Sequence, residues 1–103
     1  MTCDPEQAMK DLVQALVAVR VTLYEAEIKQ TLLDAVDYAQ HNEWGLGLEI
    51  VCDNLYEYDF PLPKSIFDQI SSLGVSWEID PYRIAMLREL IVDTAKPNDR
   101  DFS

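Results

Sequence analysis

The chain has 103 residues, 49% of them hydrophobic and 26% charged, with 19 acids against 8 bases and a formal net charge of -11. That length supports one domain around one modest core, and the composition is that of a folded chain, not a disordered one. The charge argues against binding a phosphate backbone or an anionic membrane surface, and favours a basic protein partner or simple solubility.

The first predicted helix starts at Asp4-Pro5. Asp4 suits the N-cap, Pro5 the first helical position, and Gln7 completes a capping-box spacing. Met9, Leu12, Val13, Leu16 and Val17 form its apolar face. Val17 to Leu23 is rich in β-branched residues, so a short strand competes with helix there. A second capping box, Thr22 to Glu25, opens the second helix, and Ile28, Leu32, Ala35, Val36 and Ala39 follow the helical period. It is expected to fray near His41-Asn42.

Glu43 to Asp59 reads as a third helix with divided faces. Leu48, Val51, Cys52 and Leu55 lie on one side, Glu49, Asp53 and Glu57 on the other, with Tyr56 at the boundary. Gly45 and Gly47 weaken its first turn by about 1 kcal/mol each relative to Ala, and they allow close approach of another backbone. Asp59 to Pro63 ends this helix. A fourth follows from Pro63, with Ile66, Phe67, Ile70 and Leu73 inward and Gly74 as C-cap; Gly74 to Ile79 then reads as a connector. Asp80-Pro81 repeats the N-cap and proline start. The fifth helix carries Ile84, Leu87, Leu90 and Ile91 and stops before Lys96-Pro97. The polar tail Asn98–Ser103 is expected to be mobile. The expectation is a single all-α domain over residues 1–103, a compact bundle of about five short amphipathic helices.

No apolar run approaches the ~20 residues that span a bilayer. The N-terminal residues lack the basic start and apolar core of a signal peptide. Cys3 and Cys52 are too few and too far apart for a disulfide framework, so a reducing cytoplasm is expected. An enzyme is hard to build from this inventory. The single histidine, His41, has no positioned nucleophile and reads as a surface residue near a helix C-terminus. With Cys3 and Cys52 it makes no zinc spacing. Asp53-Asn54 begins like a calcium loop but lacks the following glycine and ligands. No catalytic residue, cofactor or metal is expected.

What stands out is Gln30 to Pro63, 34 residues without Lys or Arg that carry seven carboxylates: Asp34, Asp37, Glu43, Glu49, Asp53, Glu57 and Asp59. Glu49, Asp53 and Glu57 stand four apart, one stripe on a helix, where like charges cost about 0.2–0.5 kcal/mol per pair. Most charge runs are merely solvated faces, but those usually mix signs. Tyr38, Trp44, Tyr56, Tyr58 and Phe60 are interleaved with these acids, as aromatic anchors are at interfaces. Some of them belong to the core instead: Trp44 and Tyr58 extend the Leu48/Leu55 face, which leaves Tyr56 as the best exposed aromatic.

The segment Glu43 to Leu62, EWGLGLEIVCDNLYEYDFPL, resembles the MafI-like immunity proteins of bacterial polymorphic-toxin and contact-dependent inhibition systems. The likeness rests on a Glu-aromatic start, a Leu-Glu-x-Leu/Val-Cys-Asp-x-Leu-Tyr-Glu centre and an acidic-apolar-Pro exit. It extends loosely through Ile66–Leu73 and not to the first 20 or last 10 residues. The matching positions are Glu43, Trp44, Glu49, Asp53, Leu55, Tyr56, Glu57 and Asp59, with Leu55 better read as core. The resemblance implies a cytoplasmic, non-enzymatic protein that neutralises the C-terminal domain of a cognate toxin, often a nuclease. A ribonuclease is favoured, in a 1:1 complex with monomeric immunity protein and with no direct nucleic-acid or membrane binding. The expected contacts are Glu43, Glu49, Asp53, Tyr56, Glu57, Tyr58 and Asp59. Whether they plug the active site or cover an adjacent surface stays open. The alternative is an acidic adaptor or nucleic-acid mimic for a basic host or phage protein.

Overall fold

Asp4 accepts the backbone N–H of Glu6 at 3.1 Å and Pro5 takes the first helical position, so α1 (Pro5–Val17) begins as its sequence indicates. In this computed structural model, which describes residues 4–19 and 24–92, the further elements are α2 (Glu25–Gln40), α3 (Trp44–Glu57), β1 (Leu62–Pro63), α4 (Lys64–Ser76), α5 (Pro81–Met86), a 3₁₀ turn at Leu87–Leu90 and β2 (Ile91–Val92). The chain folds as an all-α bundle. The tail Asn98–Ser103 and the Arg20–Leu23 part of the helix-or-strand segment lie outside the described residues.

The core is built from helical repeats of apolar residues. Met9, Leu12 and Leu16 of α1 meet Ile28, Leu32, Ala35 and Ala39 of α2 and Leu48, Val51, Cys52 and Leu55 of α3. Ile66, Phe67 and Ile70 of α4 close the other side. No polar or charged side chain is buried among the described residues. Each fully buried Leu, Ile or Phe stabilises the fold by about 1.5–3 kcal/mol.

The tightest approach is between α2 and α3. A Cβ on Gly47 would lie 3.0 Å from the Ala35 carbonyl oxygen and 3.3 Å from Met9 Cε and Tyr38 Cβ. The two backbones touch where Gly47 has no side chain, as the paired glycines of this helix implied. Gly45 is different: the nearest atom to its Cβ would be Ile79 Cδ1, at 3.8 Å.

Three helices end in the same way. Beyond α2, α3 and α4 the residues Asn42, Asp59 and Glu78 take left-handed backbone angles, with φ of 63°, 55° and 58°. In each, the N–H of the next residue reaches back to a carbonyl five residues earlier: Glu43 to Tyr38, Phe60 to Leu55 and Ile79 to Gly74. This is the Schellman arrangement, which usually places glycine at the left-handed position. Two of the turns deliver an apolar residue, Phe60 or Ile79, straight into the core.

Several expectations need correction. Gly74 does not cap α4. It sits inside the helix, where a Cβ would meet Ile84 Cδ1 at 3.0 Å, so it serves the close packing of α5. The supposed connector from Gly74 is therefore helical through Ser76. The Gln7 amide turns forward to Asp11 and Asp4 caps the Glu6 N–H, so the reciprocal capping box of Asp4 with Gln7 does not form. Thr22 lies outside the described residues, and the N-cap of α2 is Tyr24, left-handed and without a side-chain cap bond. Val17, placed on the inner face, is exposed. The fifth helix is shorter than its pattern, because the chain tightens into the 3₁₀ turn at Leu87 and extends at Ile91. There it pairs in parallel with β1, Leu62 opposite Ile91 and Pro63 opposite Val92. Trp44, at the start of α3, and Trp77, at the end of α4, meet with centroids 6.5 Å apart and planes tilted by 55°.

Gly47→Ala is expected to lose stability, although alanine is about 1 kcal/mol better than glycine within a helix, because the opposing Ala35 carbonyl is backbone and cannot swing aside. Gly45→Ala is expected to gain up to about 1 kcal/mol. Urea denaturation of both variants reads the signs; a gain in both would show that the α2–α3 contact is not tight.

Candidate partner-binding face

The Glu49, Asp53 and Glu57 positions lie on the side of α3 away from Leu48, Val51 and Leu55, as their spacing requires. Asp53 and Glu57 are exposed and Glu49 is half-buried. At 1.5 Å per residue the three span about 12 Å along the axis. Glu43 stands exposed at the N-cap of α3 and Asp59 at its left-handed exit, beyond the two ends of the helix, so the seven expected contact residues do not form one cluster, and the acidic strip proper is Glu49, Asp53 and Glu57.

This strip is not without a base. Arg83 of α5 reaches across and donates from Nη1 to Asp53 Oδ1, while its Nε is enclosed without a partner. The bond to Asp53 holds the Arg83 guanidinium above its ordinary pKa, burial opposes this, and the charges of Asp53 and Glu49 add to it. The pair is only partly enclosed, with side-chain exposures of 32% and 55%. It therefore belongs with surface ion pairs worth about 0–1 kcal/mol. The sequence expectation of an unopposed stripe is thus corrected at its centre. Glu57 and Glu43 make no ion pair among the described residues.

The tyrosines divide. Tyr56 is exposed and its hydroxyl donates to Glu89 Oε1 at 3.1 Å. That bond, then the charge of Glu89, raises the Tyr56 pKa, with smaller contributions from burial, Tyr82 and Asp59. Tyr58 is half-buried and stacks on Tyr24 with centroids 4.7 Å apart, so one of its faces is already covered. Trp44 is likewise half-buried against the core, and Phe60 is fully buried. Sequence reasoning missed Tyr82, 71% exposed on α5, as well as Arg83 and Glu89. Their only sequence signal is position: they follow the Asp80-Pro81 start on the polar side of the last helical segment.

Beneath the strip, Cys52 is buried and its thiol is pushed up to about 12, first by desolvation and then by Asp53 and Glu49, with Arg83 opposing. It is a protonated core thiol, not a nucleophile. His41 caps α2 at the surface, its Nδ1 2.8 Å from the Asp37 carbonyl oxygen and 3.7 Å from the Asp37 carboxylate. Among the described residues no three His, Cys, Asp or Glu side chains converge as metal ligands do. No helix there is long and apolar enough to cross a membrane. Comparison with protein-family models, curated proteins and solved structures finds no match to this chain.

Two expectations follow from the titrating groups. The hydrogen bond to the Asp37 carbonyl, helped by the Asp37 charge, raises the His41 pKa above 6.5. A raised pKa contributes stability that is complete below 6.5 and is lost as the pH rises through the folded value. An NMR titration should give a His41 midpoint above 6.5, and Asp37→Asn should lower it in part. In a Cys3→Ser chain, Cys52 should resist a thiol reagent at mildly alkaline pH in the native state and react fully in denaturant. Fast native reaction would contradict its burial.

Proposed function

We propose that this protein is an immunity protein that binds and neutralises a cognate toxin domain in the bacterial cytoplasm, with the outer face of α3 as the approach surface. The observation that carries the reading is the one-sided charge of that face: Glu49, Asp53 and Glu57 lie along α3, with Glu43 and Asp59 at its ends, and among the described residues the base that opposes them is Arg83 at Asp53. The likeness of Glu43–Leu62 to MafI-like immunity proteins supports it.

Nucleases hold phosphate, so their clefts are basic. Carboxylates spaced by helical turns attract such a cleft from beyond contact, over about 8 Å at physiological salt. Once docked, the charges suppress wrong partners and fix the register more than they add raw affinity. The apolar contribution comes from Tyr56, with Tyr58 at the margin and Tyr82 beside them, since interface energy concentrates in a few aromatic and Arg anchors. A monomer binding one toxin domain satisfies this geometry, with a ribonuclease domain the favoured target.

The test is co-expression with the product of the adjacent upstream gene, followed by neutralising Glu49, Asp53 and Glu57 together (Glu→Gln, Asp→Asn). The variant is expected to keep its melting temperature, to associate at least about tenfold more slowly at low salt, and to lose most of the salt dependence of the rate. If Lys at all three positions leaves a folded protein that still inhibits the toxin, the stripe is not the contact. Salt-sensitive binding to several unrelated basic proteins would instead favour an acidic adaptor.

A further inference from the structure

On the other side of α5 from Arg83 lies a trough of about 680 Å³ between α4 and α5. Its floor is apolar: Phe67, Gly74, Ile79 and Ile84 are all buried there, and Val75, 80% exposed, forms part of the rim. From Phe67 to Val75 the α4 wall runs about 12 Å, a little over two helical turns. The two ends differ in charge. At one end the Arg88 guanidinium lies over the Phe67 ring, 5.1 Å from its centroid, with no carboxylate in ion-pair range among the described residues. At the other are Glu78, in its left-handed turn, and Asp80, whose carboxylate accepts, among the described residues, the Tyr82 N–H alone.

We propose that this trough receives an amphipathic helical segment of a partner protein, seated by two or three aliphatic side chains. A basic residue of the segment lies at the Glu78/Asp80 end and an acidic one at the Arg88 end. The length matches a partner helix offering anchors at i, i+3 or i+4, and i+7, the usual helix-in-groove mode. The charge complementarity selects the occupant. A second copy of this chain would bring another net charge of -11 to an already acidic surface. A nucleic acid would meet Glu78 and Asp80. Only a segment with opposite charges at its two ends satisfies both ends of the trough. The proposal does not depend on the toxin-binding reading, because it uses none of the α3 carboxylates.

The probes are three synthetic amphipathic helical peptides with one Leu/Ile face: one with Lys at one end and Glu at the other, one with Lys at both ends, one with Glu at both. In ¹⁵N-detected titrations of the full chain, the mixed peptide is expected to bind tightest and to shift the amides of Phe67, Ser71, Val75 and Ile84. Each mismatched end should weaken binding about two- to fivefold, the effect of one exposed charge pair. In Arg88→Glu the order should change so that the double-Lys peptide binds best. Ala85→Glu, on the exposed wall of the trough, should abolish binding without unfolding the protein. The chain neutralised at Glu49, Asp53 and Glu57 should bind the mixed peptide as before, so failure here and failure of the toxin reading are distinguishable. Equal binding of all three peptides, shifts elsewhere on the surface, or no shifts at all would overturn the proposal. So would a concentration-dependent dimer that Ala85→Glu disrupts, which would make a second copy the occupant.

Discussion

The contact of Gly47 with the Ala35 carbonyl sets the position of everything on α3. A Cβ at this position would press against the Ala35 carbonyl at 3.0 Å, so glycine lets α3 settle against α2 without either backbone giving way. The neighbouring small residue Ala39 lines the same side of α2, so the crossing is closed by backbone and methyl groups. Leu48, Val51, Cys52 and Leu55 then point into the space between α1, α2 and α4, and the helical period sends Glu49, Asp53 and Glu57 the opposite way. Packing one side of this helix and charging the other are thus one event. The small repulsion among the carboxylates is tolerated because burial along the inner side outweighs it several times over.

The starts of α1 and α5 and the ends of α2 and α3 were legible in the sequence, whereas the start of α2 and the end of α4 were not, and for the end of α4 the reason is chemical. Asp4-Pro5 and Asp80-Pro81 advertise their N-caps, and both aspartates accept the expected N–H. At the C-termini the usual signal is a glycine just past the last turn. Here Asn42, Asp59 and Glu78 occupy those positions, while the three glycines lie inside helices, where Gly47 and Gly74 set the distance between elements. Reading Gly74 as a cap followed a rule this chain does not use. The two-residue pairing of β1 with β2 had no local pattern at all, since it joins residues about thirty apart through a bundle that must already be assembled.

The candidate face was legible by halves. Its acids lie within one helix, so their spacing alone places them together. Arg83, Glu89 and Tyr82 come from a segment about thirty residues later, and nothing in a helical period reports which face of α3 that segment will cross. The result is a surface with a neutralised centre at Asp53–Arg83 and acidic ends. A basic partner would feel the ends at a distance and meet the ion pair only on contact, where Arg83 can be kept or displaced.

The chain has only two tryptophans, and both stand in the Trp44–Trp77 pair. Its tryptophan emission, excited beyond the tyrosine band, therefore reports one corner of the molecule, where α3 begins and α4 ends. That corner adjoins the Glu78 end of the trough and lies about 13 Å along α3 from Asp53. The protein thus carries an optical reporter nearer to one of its two surfaces than to the other: Trp77 is next in sequence to Glu78 at the trough, while the middle of the acidic strip lies more than two helical turns from Trp44.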